Sequence, residues 1–247
     1  MRDSPLDELP EEARQDATEA GFPKWVKPML ATLTHDRFSD DDWIFERKFD
    51  GERCLTFKDG DNVRLMSRNR KELNDTYPEL EKALAKQSTK QFVIDGEVVA
   101  FEGDITSFGL LQNRMQIKDR QSALHSDVKV FYYIFDICYL DGYDLTGVEL
   151  RHRKALLKKA LNFDDPVRFT EHRNRDGEAY YEEVCPKGWE GLIAKDATST
   201  YVHSRSRKWL KFKCVREQEM VVGGFTDPER GRVGLGALLV GYYEDGA

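Results

Sequence analysis

Apolar and charged residues alternate along Trp43 to Phe49, Arg53 to Lys58 and Asn62 to Ser67, the two-residue period of half-buried strands. Asp59-Gly60-Asp61-Asn62, between the last two, carries the residues that a hairpin turn requires. Tyr77 to Lys86 instead spaces Leu80 and Leu84 four apart and places Pro78 in its first turn, which predicts a helix. Phe92 to Phe101 and Val128 to Leu140 are β-rich, and the second is apolar enough for a buried central strand. Glu149 to Leu161 predicts an amphipathic helix with Leu150, Leu157 and Leu161 on one face and Arg151, Lys154 and Lys158 outside it. Strands at 167–171, 190–195 and 208–213 follow, with a helix between Gly177 and Val184. Hairpins mixed with isolated helices indicate an α+β domain of antiparallel sheets rather than a regular βαβ series.

The ends differ from this body. Residues 1–22 read as an acidic lead-in with a helical segment around 7–20, and 23–215 as the main domain. From about Arg216 the pattern changes to two strands, Glu219 to Phe225 and Gly236 to Tyr243, joined by Gly231-Arg232-Val233-Gly234-Leu235-Gly236. Two strands and a loop do not make a stable unit, so 216–247 is expected to be the opening of an incomplete second domain.

Hydrophobic residues at 40% and aromatics at 11% of 247 suffice for a real core. The acidic start argues against a signal peptide, and no apolar run reaches membrane-spanning length, so a cytoplasmic protein is expected. Cys54, Cys138, Cys185 and Cys214 are widely spaced and read as unpaired thiols in a reducing compartment, with a zinc site improbable. The net charge of −7 argues superficially against nucleic acid, yet −5 of it falls in the first twenty residues. Arg205, Arg207, Lys208, Lys211, Lys213 and Arg216 form a local basic stripe of the kind that phosphate contacts require.

Candidate chemistry centres on Lys48 in Lys48-Phe49-Asp50-Gly51. The Asp-Gly turn directly after it leaves the amine at a strand end facing a cleft. A lysine attacks phosphorus only when neutral, a state that nearby cations favour; Lys211, Lys213, Arg53 or a bound metal are candidates. Downstream come Asp95-Gly96-Glu97, Phe135-Asp136-Ile137-Cys138-Tyr139-Leu140-Asp141-Gly142, Glu190-Gly191-Leu192-Ile193-Ala194-Lys195 and Lys208-Trp209-Leu210-Lys211-Phe212-Lys213, in that order. Taken singly, each has a bland alternative: Phe135 and Ile193 as core, Glu97 as a turn cap, Glu190 as a surface acid, Asp95-Gly96 as a bulge, Arg205 and Arg207 as a solvated loop. The ordered set is what carries weight.

Together these motifs resemble an ATP-dependent DNA ligase of the covalent nucleotidyltransferase superfamily, and within it the ligase domain of bacterial end-joining ligases. The likeness spans roughly residues 27 to 243. It implies an adenylation domain at 23–215 and the opening strands of a truncated OB-fold at 216–247. It also implies that Lys48 attacks the α-phosphate of ATP and holds AMP covalently. By the same resemblance Glu46 reads adenine, Phe135 stacks on the purine, Ile193 covers its other face, and Arg53 and Glu97 contact the ribose. Arg68 binds phosphate, Lys211 and Lys213 sit on the α-phosphate, and Arg205 makes a nucleotide or DNA-backbone contact. Glu190, assisted by Asp50, holds Mg²⁺ or Mn²⁺. Nicked or broken double-stranded DNA is the implied partner of a monomer that works beside other end-joining proteins, nucleoid-associated if bacterial. RNA ligase or mRNA-capping chemistry shares Lys-x-Asp-Gly, and a nucleic-acid-binding fragment with weak catalysis is a third reading. Without a full OB-fold, the first step and nick sealing are expected to be poor.

Overall fold

The computed structural model describes residues 6–214, 220–228 and 234–241. The chain divides into two compact units, Met1–Cys214 and Val215–Ala247. In the first unit α1 (Glu11–Arg14) and β1 (Thr18–Glu19) lead to β2 (Leu30–Leu33), β3 (Asp40–Arg47), and the hairpin β4 (Glu52–Asp59) and β5 (Asn62–Ser67). After α2 (Pro78–Ala85) come β6 (Gln91–Glu102), β7 (Ile105–Thr106), α3 (Phe108–Met115), α4 (Arg120–Leu124), β8 (Val130–Leu140) and β9 (Tyr143–Asp144). The remainder is α5 (Leu150–Ala160), β10 (Val167–Phe169), β11 (His172–Arg175), α6 (Gly177–Val184), β12 (Gly191–Asp196) and β13 (Arg205–Lys213).

These strands form two sheets. The first runs β1-β9-β8-β6-β4-β5, with β10 beside β8 and β7 beside β6; the second runs β11-β3-β12-β13-β2. Pairing is antiparallel except for β10 on β8 and β2 on β13, which are parallel. The two-residue alternation sends each strand's apolar side chains to opposite faces. From β6, Phe92, Ile94 and Val98 meet Leu80 and Leu84 of α2 and Leu156 and Leu157 of α5 in one core. Val93 joins Leu55, Phe57, Phe135 and Trp209 in a second, spanning the two sheets. A third packs Phe45, Leu192, Leu210 and Phe212 of the second sheet against Tyr180, Tyr181 and Val184 of α6.

Asp136 of β8 and Arg153 of α5 are both fully buried and form a bidentate pair, Nε–Oδ1 2.7 Å and Nη2–Oδ2 2.8 Å. Arg153 also donates to the carbonyls of Val148 (2.5 Å) and Ser199 (3.1 Å), so one guanidinium ties sheet, helix and the 196–201 loop together.

Several elements depart from the sequence reading. The segment around 7–20 is helical only at Glu11–Arg14, because Thr18–Glu19 pairs with β9 instead. Its apolar residues Leu6, Leu9 and Ala13 join the first core. Lys154 is not outside its helix: it is buried, with its amine paired to Glu46. Cys185 and Cys214 are not free thiols but a disulfide, their Cα atoms 5.4 Å apart because the end of α6 meets the end of β13. Cys54 and Cys138 are free and buried. In the second unit β14 (Val221–Phe225) pairs antiparallel with β15 (Leu238–Gly241). The predicted strand ends at Glu219, Tyr242 and Tyr243, and loop residues 231–233, lie outside the described residues.

Asp136→Ala leaves a buried guanidinium without its counter-charge, so the folded state is expected to lose about 3–5 kcal/mol. Urea unfolding checks this, and an unchanged midpoint would assign the pair no structural weight.

Candidate active site

Strand β3 ends in Phe45, Glu46 and Arg47, and alternation turns Phe45 into the α6 core while Glu46 faces the other way. Lys48 follows the last strand residue, and its backbone N–H donates to the Gly191 carbonyl (2.9 Å). Two glycines make this junction possible. A Cβ on Gly51 would strike the Val98 carbonyl of β6, so only glycine lets the chain turn back that closely after Lys48. Gly191, at φ 142°, passes against the Phe212 carbonyl and sets Glu190 next to the lysine.

Beside this junction lies a cavity of about 230 Å³. Nine of the residues singled out from sequence line it: Glu46, Lys48, Arg53, Arg68, Glu97, Phe135, Ile193, Arg205 and Lys211. The other three, Asp50, Glu190 and Lys213, gather at the Lys48 end. The Lys48 amine contacts a Glu190 carboxylate oxygen, and Lys213 lies 3.7 Å from the other oxygen of Glu190.

The opposite end is aromatic and ionic. The Lys195 amine lies 4.2 Å from the Phe135 ring centroid, 4.1 Å from that of Trp209 and 2.6 Å from Glu46. Lys154 reaches the other Glu46 oxygen at 2.6 Å and donates to the Thr170 carbonyl at 3.0 Å. Arg53 sits 4.6 Å above the Phe135 ring and is held by a bidentate pair with buried Asp95 (2.5 and 2.6 Å), whose carboxylate also accepts from the Tyr201 hydroxyl. The charge of Arg53 is therefore engaged beneath the cavity. Asp95-Gly96 does mark a bulge, since the β6–β8 register shifts there. Arg205 donates to the Ala31 carbonyl.

The sequence reading passed over Lys195, Lys154, Asp95, Tyr201 and Trp209. Lys195, Asp95 and Trp209 lie inside motifs already quoted, so their signal was present. Lys154 gave none, because helical spacing alone put it on the solvent side.

The family description "ATP dependent DNA ligase domain" matches residues 28–213. The chain belongs to this DNA ligase family. The multifunctional non-homologous end joining protein LigD of Pseudomonas aeruginosa is 35% identical over 225 residues, 90% of this chain and 26% of that protein. The SPbeta prophage-derived DNA ligase-like protein LigB of Bacillus subtilis is 32% identical, covering 82% of this chain and 72% of that one. A solved structure described as mycobacterial DNA ligase D complexed with ATP and MES superposes with a TM-score of 0.65 at 33% identity, covering 87% of this chain and 67% of that one. The chain spans about a quarter of the LigD proteins it matches. These likenesses support DNA ligase over the RNA ligase and capping alternatives.

Burial and charge set the protonation of this ligase domain's side chains. Burial alone would raise Glu46, but Lys154 and Lys195 outweigh it and its carboxyl lies below the ordinary range. Lys195 is pushed down to about 8, by burial first and then by Lys154, against the pull of Glu46. Lys211 is lowered by burial and by the neighbouring Lys48, Lys213 and Arg205 cations. Asp50 is raised by burial and by the Glu190 carboxylate, so two acids crowd one place. Among the described residues no cluster of three or more acidic, histidine or cysteine side chains could hold a metal by itself. Two carboxylates do fit a hard cation whose remaining ligands are water and phosphate oxygen.

Glu97 is raised to about 7 from 4.5, chiefly by burial, with Arg53 and Lys48 opposing. The folded form thus holds this proton more tightly than the unfolded chain. Its contribution is fully present below pH 4.5 and is lost as pH rises through 7. Without nucleotide, the stability difference between the unaltered chain and Glu97→Gln is expected to shift by up to about 3 kcal/mol across that window. Denaturant midpoints from pH 4 to 8 test it; parallel curves would contradict it.

Proposed function

We propose that this chain is the adenylating part of an ATP-dependent DNA ligase and acts on nicked or broken double-stranded DNA. The observation that carries the reading is the Lys48 amine, set against Glu190 in the lining of the cavity, with Lys211 and Lys213 nearby and the Phe135 and Trp209 rings in the same lining.

In the first step the neutral Lys48 nitrogen attacks the α-phosphorus of ATP. The P–O bond to pyrophosphate breaks with its electron pair, the lysine gives up a proton, and a P–N bond to AMP forms. Before attack, the contact between Lys48 and Glu190 has to give way. Asp50 and Glu190 are the residues that would hold Mg²⁺ or Mn²⁺, which when bound supplies positive charge at the phosphate oxygens. Lys211 and Lys213 stabilise the charge that builds on the α-phosphoryl oxygens. Alternation puts both amines on one side of β13, while Phe212 is buried on the other. Phe135 stacks on the purine with Ile193 covering it, Arg53 and Glu97 orient the ribose, and Arg68 and Arg205 receive phosphate.

In the second step a DNA 5′-phosphate oxygen attacks the AMP phosphorus and releases the Lys48 amine. A 3′-hydroxyl then displaces AMP and closes the phosphodiester. The LigD relatives named for non-homologous end joining support a place in that repair, with its proteins as partners, in the cytoplasm. Residues 216–247 are read as the opening strands of an OB-fold, preceded by the adenylation domain at 23–215.

Incubation with ATP and a divalent metal is expected to add the mass of one AMP, and Lys48→Ala to abolish that gain while preserving the fold. Residual covalent AMP on the variant would require a different nucleophile. Phe135→Ala is expected to weaken nucleotide binding by ~1–3 kcal/mol, the usual range for losing a stacked base. Calorimetric titration reads this, and an unchanged affinity returns Phe135 to the core.

A further inference from the structure

The Cys185–Cys214 disulfide takes no part in the adenylation steps, yet it stands at the Lys48 corner of the site. Cys185 is the C-cap of α6, and Cys214 directly follows Lys213 at the end of β13. Between Cys185 and β12 runs the loop 186–190, whose last residue is Glu190. Pro186 and Lys187 are exposed there, and Gly188, Trp189 and Glu190 are half-buried. The loop's turn bonds are local, from the Lys187 N–H to the Val184 carbonyl and from the Gly188 N–H to the Cys185 carbonyl. Across to β13 it is joined by the disulfide and by the Cys214 N–H, which donates to the Glu190 carbonyl at 3.0 Å. A surface segment with local bonds opens readily, and a covalent link at its base removes that freedom. The Glu190 backbone therefore leans on Cys214, and Cys214 on Cys185.

Access separates this pair from the other cysteines. Cys185 and Cys214 are half-buried at the rim of the third core, whereas Cys54 and Cys138 are fully buried. Exchange with an external thiol needs an approach to sulfur, which the first pair offers and the second does not. In the cytoplasm proposed for this ligase, thiols are kept reduced, and a disulfide there is usually transient and redox-sensing. A permanent staple suits a domain too small to build a core, but the first unit already buries three large apolar clusters. Compartment and core size both favour a bond that is made and broken.

We propose that Cys185 and Cys214 are a redox modification site that couples the thiol state of the surroundings to lysyl-AMP formation, the disulfide form being the faster. The inference rests on the ligase reading of the cavity. A thiolate of an external dithiol attacks one of the two sulfurs, and the S–S bond breaks with its electron pair going to the other cysteine. The second thiol of the reductant then displaces the first cysteine from the mixed disulfide. The protein gains two electrons and two protons, and the reductant leaves as its own disulfide. An external disulfide reverses the exchange. With the bond made, the Glu190 backbone is held beside Lys48 while its carboxylate stays free to turn from the amine to a metal. With the bond cut, the loop 186–190 loosens, and Glu190 and Lys213 lose their fixed places at the α-phosphate.

The test is the rate of lysyl-AMP formation by the whole chain with ATP and Mg²⁺, after treatment with glutathione disulfide and after treatment with dithiothreitol. Alkylation in denaturant, read by mass, is expected to count two thiols in the oxidised chain and four in the reduced one. The reduced chain is expected to keep its circular dichroism and to react about tenfold more slowly, within the roughly hundredfold that a 1 Å misplacement costs. Reoxidation restores the rate. The double variant Cys185→Ser/Cys214→Ser is expected to stay at the reduced rate under both treatments. Four thiols after oxidation, equal rates in the two states, or loss of the folded signal on reduction each overturn the proposal. A double variant that still responds to dithiothreitol traces the effect to Cys54 or Cys138 and overturns it as well. Should that variant misfold, the two states of the unaltered chain decide alone. A chain that adenylates equally fast in both states sinks only this inference, whereas no adenylation in either state sinks the ligase reading with it.

Discussion

Buried carboxylates paired with cations, at the cavity and in the core near it, are what the rest of this structure depends on. Cationic side chains crowd this cavity, and like charges packed together repel unless carboxylates beside them compensate. Asp95 holds Arg53, Asp136 holds Arg153, and Glu46 holds Lys154 and Lys195. Each pair also joins elements far apart in sequence: β4 to β6, β8 to α5, and β3 to both α5 and β12. These ion pairs therefore also tie the sheets and helices together. At the Lys48 end Lys213 instead faces the partly exposed Glu190 carboxylate, with the Lys211 amine among neighbouring cations.

Backbone proximity sets the second constraint. Lys48, Glu190 and the β13 lysines stand at the ends of three strands of one sheet, which converge within a few ångströms. Gly51 and Gly191 allow it, because a side chain at either position would collide with a carbonyl of a neighbouring strand. The Cys185–Cys214 disulfide closes the same corner, since Cys214 directly follows Lys213 and its backbone N–H donates to the Glu190 carbonyl at 3.0 Å.

The strands β3 to β5 and the helices α2 and α5 were legible from their periods, and β6 and β8 from their β-rich, apolar composition. The short pieces were not. β1, β7 and β9 hold two residues each, too few for any period; β7 and β9 pair with the edges of the longer β6 and β8, and β1 with β9 in turn. Most of the candidate site was legible too, since its residues alternate along strand ends inside recognisable motifs. Lys154 shows where that reading stops: a helical period places it in water, and its pairing with Glu46 from another element overrides the pattern.

The sequence by itself determined the Asp-Gly turn after Lys48, the order of the motifs and hence the family, because these are local patterns fixed by residue type and spacing. Tertiary structure alone decided that Lys48 meets Glu190, that two cysteines 29 residues apart join, and that a helix lysine reaches Glu46. Such contacts arise between elements remote in the chain, where the packing of two sheets and not any local period sets which side chains meet.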